Sequence, residues 1–238
     1  MKRGTFIVGG LGLLLGYNPF SVLFASSDDR RDIYLTIDDG PNKNTDDILN
    51  KLKGNGNVSF FFLGENLDTG KGFERAYRAV SEGHSVGNHS YSHPYFSKIK
   101  LEKGREEVER THELIERIHD KAGIQNPRLF RFPYGDTGSD NREGLKKILI
   151  DMGYSSYNCN DERYGIRDVA CGWTLDSKDW KHYMTKGEYT IQEVLDNVHK
   201  SKKHDVILSH SYPIMSSHIL PSIIKQGSLR LISLVENK

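Results

Sequence analysis

Ile33-Tyr34-Leu35-Thr36-Ile37-Asp38-Asp39-Gly40-Pro41 is the stretch on which the reading of this chain turns. A short β-forming run, Ile33 to Ile37, leads into two adjacent carboxylates, and Gly-Pro then turns the chain. A plain turn would use the same residues. Two neighbouring acids at a strand end, however, point in different directions. One can hold a cation while the other stays free as a general base.

Outward from this stretch, strand-like and helix-like segments alternate. Ile48, Leu49 and Leu52 recur at helical spacing before Gly54, and Val58 to Leu63 reads as a dense strand. Phe73, Ala76, Tyr77 and Val80 form a second helical face, and Ser85-Val86-Gly87 a short strand. Val108, Ile115, Ile118 and Ala122 mark a longer amphipathic helix. Strand candidates follow at Leu129–Arg131, Tyr154–Tyr157 and Cys171–Leu175, with a helix through Leu145, Ile148, Leu149 and Met152. Thr190 and Glu193 fit a capping box before Ile191, Val194, Leu195 and Val198. Asp205 to Leu208 is a strand leading into His210, and Ile219–Ile224 and Leu229–Val235 close the pattern as helix and strand. Repeated βα units predict an α/β barrel or an open parallel sheet. Both place chemistry at the carboxyl ends of strands.

The chain has 238 residues, which suits one domain. Lys and Arg number 33 against 32 Asp and Glu, so the net charge is +1 and nothing draws the molecule to nucleic acid. Lys2 and Arg3 precede an apolar, Gly-rich run, and small residues Ala25-Ser26-Ser27 follow a second apolar stretch. Residues 1–26 read as a signal peptide, or as a membrane anchor if uncleaved, with the catalytic domain over 30–238. An exported protein, periplasmic or secreted, is expected, touching a membrane only through that segment. The two cysteines, Cys159 and Cys171, either pair across a short loop or stand as two buried thiols.

Four further polar clusters accompany strand-like runs. His89 and His93 are four apart in His89-Ser90-Tyr91-Ser92-His93-Pro94. On a helical turn that spacing sets both rings on one side, although the small, polar neighbours and Pro94 suit a loop. Two imidazoles and one carboxylate leave coordination positions open, which a catalytic metal requires. Zinc is the default, with cobalt, nickel, manganese or iron chemically possible. Arg131 in Arg131-Phe132-Pro133-Tyr134-Gly135 is either a surface arginine or the partner of a buried carboxylate, and a backbone N–H of that turn could face an oxyanion. Asp176, which opens Asp176-Ser177-Lys178-Asp179-Trp180, would favour a protonated His210 if the two met. Trp180 and Leu208 would wall a small acyl group, or are plain core.

Taken in order, the five clusters resemble those of the NodB-homology polysaccharide deacetylases, carbohydrate esterase family four. The resemblance spans residues 32–210. It implies a distorted (β/α) barrel of seven or so strands. It also implies Asp38 as catalytic base, Asp39, His89 and His93 as ligands of a divalent metal, and Arg131 as the residue that orients Asp38. The Tyr134 backbone would hold the oxyanion, and Asp176 would tune His210, the general acid. Trp180 and Leu208 would line an acetyl pocket. The implied substrate is an N-acetylated polysaccharide such as peptidoglycan, a chitin-like chain or poly-N-acetylglucosamine. Alternatives on the same barrel are an O-acetyl esterase of xylan type and a catalytically silent glycan-binding protein. Ile37 stands where the family usually has Phe, Ser211-Tyr212 follows His210, and the stretch from Cys159 to Cys171 looks longer than usual.

Overall fold

The run that ends at the acid doublet becomes the middle of a sheet. In the computed structural model, which describes residues 30–157, 159 and 162–235, β1 spans Arg31–Asp38. Ile33, Leu35 and Ile37 are fully buried, and so is Thr36 between them. Burial on both faces makes a strand nearly continuous in apolar character, as parallel sheets require. The other strands are β2 (Ser59–Phe62), β3 (Ser85–Asn88), β4 (Leu175–Asp176), β5 (Val206–His210) and β6 (Leu229–Leu231). Their order is β3-β2-β1-β5-β4, with β6 beside the start of β1. Every pairing is parallel. Asp38 pairs in register with Phe61 and with His210, so the acid doublet and His210 leave the same end of the sheet.

Six strands form among the described residues, where the resemblance implied about seven. Leu129–Arg131 is reduced to a single parallel bridge, Asn88 to Phe130. Pro127 and Pro133 bound this segment, and neither can donate a ladder hydrogen bond. The ring still closes through isolated bonds. Arg131 N–H donates to Asn88 C=O at 3.0 Å, Cys171 N–H to Phe130 C=O at 2.7 Å, and Thr174 N–H to Val206 C=O at 3.0 Å. The result is a distorted barrel. The strand expected at Cys171–Leu175 is only Leu175–Asp176. Tyr154–Tyr157 is no strand, because Ser155 and Ser156 donate to the loop carbonyls of Arg128 and Asp168.

Eight α-helices occur among the described residues. α1 (Lys43–Leu52) starts at a reciprocal cap between Asn42 and Thr45. α2 (Gly64–Leu67) and α3 (Gly70–Ser81) follow β2, and α4 (Leu101–Ala122) ends at Gly123 in the left-handed conformation. α5 (Arg142–Asp151), α6 (Asp179–Met184), α7 (Ile191–His199) and α8 (Leu220–Gln226) complete the shell. α7 opens at the expected Thr190–Glu193 capping box. The short α2 and α6 carry too little sequence for a helical period to show. No helix among the described residues is long and apolar enough to cross a membrane. The expected export segment lies outside the described residues.

Candidate active site

Asp38 is the last residue of β1, and Asp39 leaves the strand in a left-handed conformation (φ 69°). Gly40 follows because a Cβ there would lie 2.6 Å from the Phe62 ring. Asp38 points inward to Arg131, whose Nη1 donates to Asp38 Oδ1 at 2.9 Å and to Thr36 Oγ1 at 2.6 Å. Arg131 Nη2 donates to Gly172 C=O at 3.0 Å, and the guanidinium packs on the Phe61 ring. Arg131 is 0% exposed, which removes the surface-arginine reading. A buried guanidinium of this kind fixes the carboxylate it pairs with.

Asp39 turns the other way. Its Oδ1 is buried and has no hydrogen-bond partner. His93 Nε2 stands 3.3 Å from that oxygen and His89 Nε2 3.6 Å from it. Burial alone would raise the pKa of Asp39. The neighbouring His93, His210 and His89 outweigh it and hold the carboxyl well below its usual range. His89 Nδ1 lies 2.9 Å from the Arg131 carbonyl, which can only accept, so Nδ1 carries the proton and Nε2 faces Asp39 with its lone pair. Burial in turn lowers the pKa of His89. An orphaned carboxylate oxygen between two imidazole nitrogens, all within 4.8 Å, fits a divalent cation with positions to spare.

The two histidines are not on a helical turn. Ser90 (φ 66°) and His93 (φ 60°) wind the segment after β3 into a loop. Buried acceptors shape it. Asn88 Oδ1 takes the Ser90 N–H at 2.8 Å, and the buried Glu107 of α4 takes the N–H groups of Tyr91 and Ser92 and the Ser92 hydroxyl at 2.7–3.0 Å.

His210 ends β5. Its partner is Asp179, not the expected Asp176. Asp179 Oδ1 lies 2.7 Å from His210 Nδ1, and Oδ2 accepts the His210 backbone N–H at 2.7 Å. Asp176 instead accepts from Lys178 N–H (2.7 Å) and Trp180 Nε1–H (3.1 Å). Register explains the difference. Asp176 pairs with Leu208, two residues short of His210. Lys178 then takes a left-handed turn (φ 61°), and Asp179 arrives beside His210 as the first residue of α6. Burial works against a charged His210, but the Asp179 carboxylate, with Asp39 and Asp38 behind it, wins and pushes the pKa up to about 9.

These groups open on one cleft of about 650 Å3. Asp38, Asp39, His89, His93, Tyr134, Asp176, Trp180, Leu208 and His210 line it, and Arg131 lies buried beneath. Trp180 is 37% exposed, and Leu208 is buried. Tyr134 has φ 59°, and its N–H donates to none of the described residues. Sequence reasoning missed Asp179, Tyr95 and Trp173, and saw Tyr212 only as an unusual neighbour of His210. Asp179 had a visible signal as the second acid of its cluster, whereas Tyr95 and Trp173 had none. Cys159 and Cys171 are disulfide-bonded. That bond stands next to Gly172, whose carbonyl meets Arg131, and Trp173, which lines the cleft.

A family model described as polysaccharide deacetylase matches residues 25–154. The chain is 31% identical over 201 residues to a peptidoglycan-N-acetylglucosamine deacetylase of Bacillus cereus, covering 83% of this chain and 66% of that protein. It therefore spans just under two thirds of that relative's length. Among solved structures it is similar to the peptidoglycan deacetylase PdaC from Bacillus subtilis, with a TM-score of 0.65 at 27% identity over 87% of this chain and 89% of that one. It is also similar to a family 4 carbohydrate esterase from Streptomyces lividans in complex with acetate, with a TM-score of 0.63 at 26% identity over 84% and 91%.

Proposed function

The chain belongs to the polysaccharide deacetylase family, and from that premise we propose that it hydrolyses acetyl groups from N-acetylated glycans. One observation carries the reading. The buried, partnerless Oδ1 of Asp39 faces two imidazoles, while Asp38 and His210 open on the same cleft. Asp39, His89 and His93 would hold a divalent cation, zinc by the character of the three ligands. When bound, such an ion supplies Lewis-acid polarisation to water and to the amide carbonyl.

The chain's own groups divide the remaining work. Asp38, fixed by Arg131, accepts the proton of the attacking water. The unengaged Tyr134 N–H donates to the oxygen on which negative charge develops. Leu208 and Trp180 wall the acetyl methyl and keep the reacting carbonyl in place. His210, protonated through Asp179, gives its proton to the leaving sugar nitrogen. Acetate departs and an amine remains, cationic near neutral pH. The product polymer carries new positive charge. Peptidoglycan is the first substrate to try, given the relatives named above. An exported, wall-facing protein accords with the composition of residues 1–26.

The test is an acetate-release screen over peptidoglycan, N-acetylglucosamine oligosaccharides and acetylated xylan, with and without chelator. Release from an N-acetyl glycan that chelator abolishes and zinc restores is the expected result. Release from acetylated xylan alone would move the assignment to an O-acetyl esterase. No release from any substrate by folded, zinc-supplied protein would leave a glycan-binding barrel.

A further inference from the structure

The near-zero charge of the whole chain hides a division between its two ends. The cleft opens where the strands finish. Where they start, Arg30, Lys53, Lys200, Lys202, Lys203 and Lys225 are all exposed. Arg30 precedes β1, and Lys202 and Lys203 precede β5. Lys53 closes α1, Lys200 closes α7, and Lys225 lies in the last turn of α8. Backbone bonds around β1 gather these segments. Arg31 N–H donates to Ser228 C=O at 2.9 Å, His204 N–H to Asp32 C=O at 2.6 Å, and Asn57 N–H to Leu231 C=O at 3.2 Å.

Cations complement the dipole at a helix C-terminus, which explains some of these lysines. It does not explain the face. α3, α4 and α5 carry exposed Glu82, Asp120 and Asp151 at their equivalent ends. Elsewhere cations meet carboxylates, as in Arg105–Glu109, Lys121–Glu74 and Lys147–Asp151. On the basic face Asp32 is held by Arg230 at 2.8 Å, and Asp205 accepts from the Lys202 N–H and the Thr174 hydroxyl. Asp28 and Asp29 adjoin Arg30 in the sequence and offset two of the charges.

A groove of about 420 Å3 enters this face. Arg30 and Arg230 line it together with the partly exposed Ile224 and Ile232. Cations interleaved with apolar side chains suit a surface that is anionic outside and apolar beneath. The sequence adds a second reason. The apolar N-terminal stretch ends at Ala25, five residues before Arg30. Five residues span at most about 18 Å, so a bilayer that takes up that stretch lies close to this face.

We propose that the basic end of the barrel docks on the surface of an anionic phospholipid bilayer. The folded domain then touches the membrane itself, beyond the contact expected of residues 1–26. β1 is 8 residues long, so the cleft stands roughly 25 Å from that surface and opens away from it. The proposal concerns binding and stands apart from the deacetylase reading.

The experiment is co-sedimentation of the full chain with vesicles of phosphatidylcholine alone, and of phosphatidylcholine mixed with an equal part of phosphatidylglycerol. Neutral vesicles report what the apolar stretch contributes. The gain on anionic vesicles reports the basic face. That gain should be about 10²-fold at about 0.1 M salt and should vanish at about 1 M, where charges are screened within about 3 Å. Lys202→Gln combined with Lys203→Gln should cut anionic binding about 20-fold, four- to fivefold for each cation, and leave neutral binding unchanged. Lys103→Gln combined with Lys147→Gln, on α4 and α5, should change neither. Equal binding to both vesicles, or a Lys202–Lys203 double variant that keeps the whole gain, would overturn the proposal. Binding of inorganic polyphosphate that this double variant loses, with no gain on anionic vesicles, would overturn it in favour of a soluble polyanion.

Discussion

The cation-facing half of the cleft and the half around His210 are built to different plans. Asp38 and Asp39 stand at the end of β1 and His89 at the end of β3, two strands of one sheet with β2 between them, and their supports are buried. Arg131 comes from the wall of the barrel and Glu107 from the long helix α4. On the other side, His210 depends on one carboxylate, Asp179, which holds both its ring and its backbone N–H. Asp179 heads a six-residue helix whose outer face carries exposed Tyr183 and Met184. The first half is a rigid socket with shared supports. The second is a single hinge point at the head of an exposed helix. Damage should therefore spread within the first half and stay local in the second.

The largest effect is expected in the socket. Asp38→Asn removes the proposed base but leaves Asp39, His89 and His93 in place. Acetate release should fall by about 10³-fold, within the range for a positioned general base. Zinc binding, read by calorimetry, should persist. If Asp38→Asn also abolishes zinc binding, the two acids do not divide their roles as argued.

Asp179→Asn probes the other half. As the proposed general acid His210 must be protonated, and Asp179 is the main force raising its pKa to about 9. The natural protein should stay active up to about pH 9 and lose activity above it. In the variant the alkaline limb should move down toward the ordinary value of about 6.5, and activity at about pH 8 should fall by roughly 10²-fold. Stability follows the same sign. A raised folded-state pKa contributes stability that is complete below about pH 6.5 and is lost as pH climbs through about 9. Denaturant titrations on either side of that window should differ for the natural chain more than for Asp179→Asn. An unchanged alkaline limb would show that His210 is not the titrating acid.

The same contrast governs how much was legible in the sequence. The socket could be read because its functional groups sit in contiguous clusters, and each cluster ends an apolar run whose burial is plain from composition. Chemistry left Arg131 either on the surface or beside a buried carboxylate, and only the family resemblance named Asp38 as its partner. The half around His210 was harder. Choosing between Asp176 and Asp179 depends on a left-handed lysine, Lys178, whose residue type gives no warning. Similarly, left-handed Ser90 and His93 made a loop of a pair spaced for a helix. The missing strand at Leu129–Arg131 had a signal in its flanking prolines, but the apolar residues between them spoke louder.

A smaller effect separates the socket from its scaffold. Glu107 touches no reacting group, yet it accepts three hydrogen bonds from the loop that carries His89 and His93. In Glu107→Ala the loop loses all three of those bonds. Zinc affinity should drop about tenfold, the lower end for outer supports of metal ligands. The rate at saturating zinc should hardly change. A lowered rate with unchanged affinity would mean that Glu107 acts on the chemistry and not on the ligand loop.

The smallest effect is expected for Asp176→Asn. The Asp176 carboxylate holds the Lys178 N–H and the Trp180 indole. An asparagine can keep one of these bonds through its carbonyl oxygen, and the other becomes a donor facing a donor. The Trp180 wall should loosen while the His210–Asp179 contact stays. KM should rise about twofold, the scale of one neutral hydrogen bond partly replaced by water, and the alkaline limb should not move. Asp176→Asn and Asp179→Asn differ by three positions in one cluster, so each is the other's control. A shift of the alkaline limb in the Asp176 variant as large as that in the Asp179 variant would mean that His210 changes partners on binding substrate. The hinge would then have two settings.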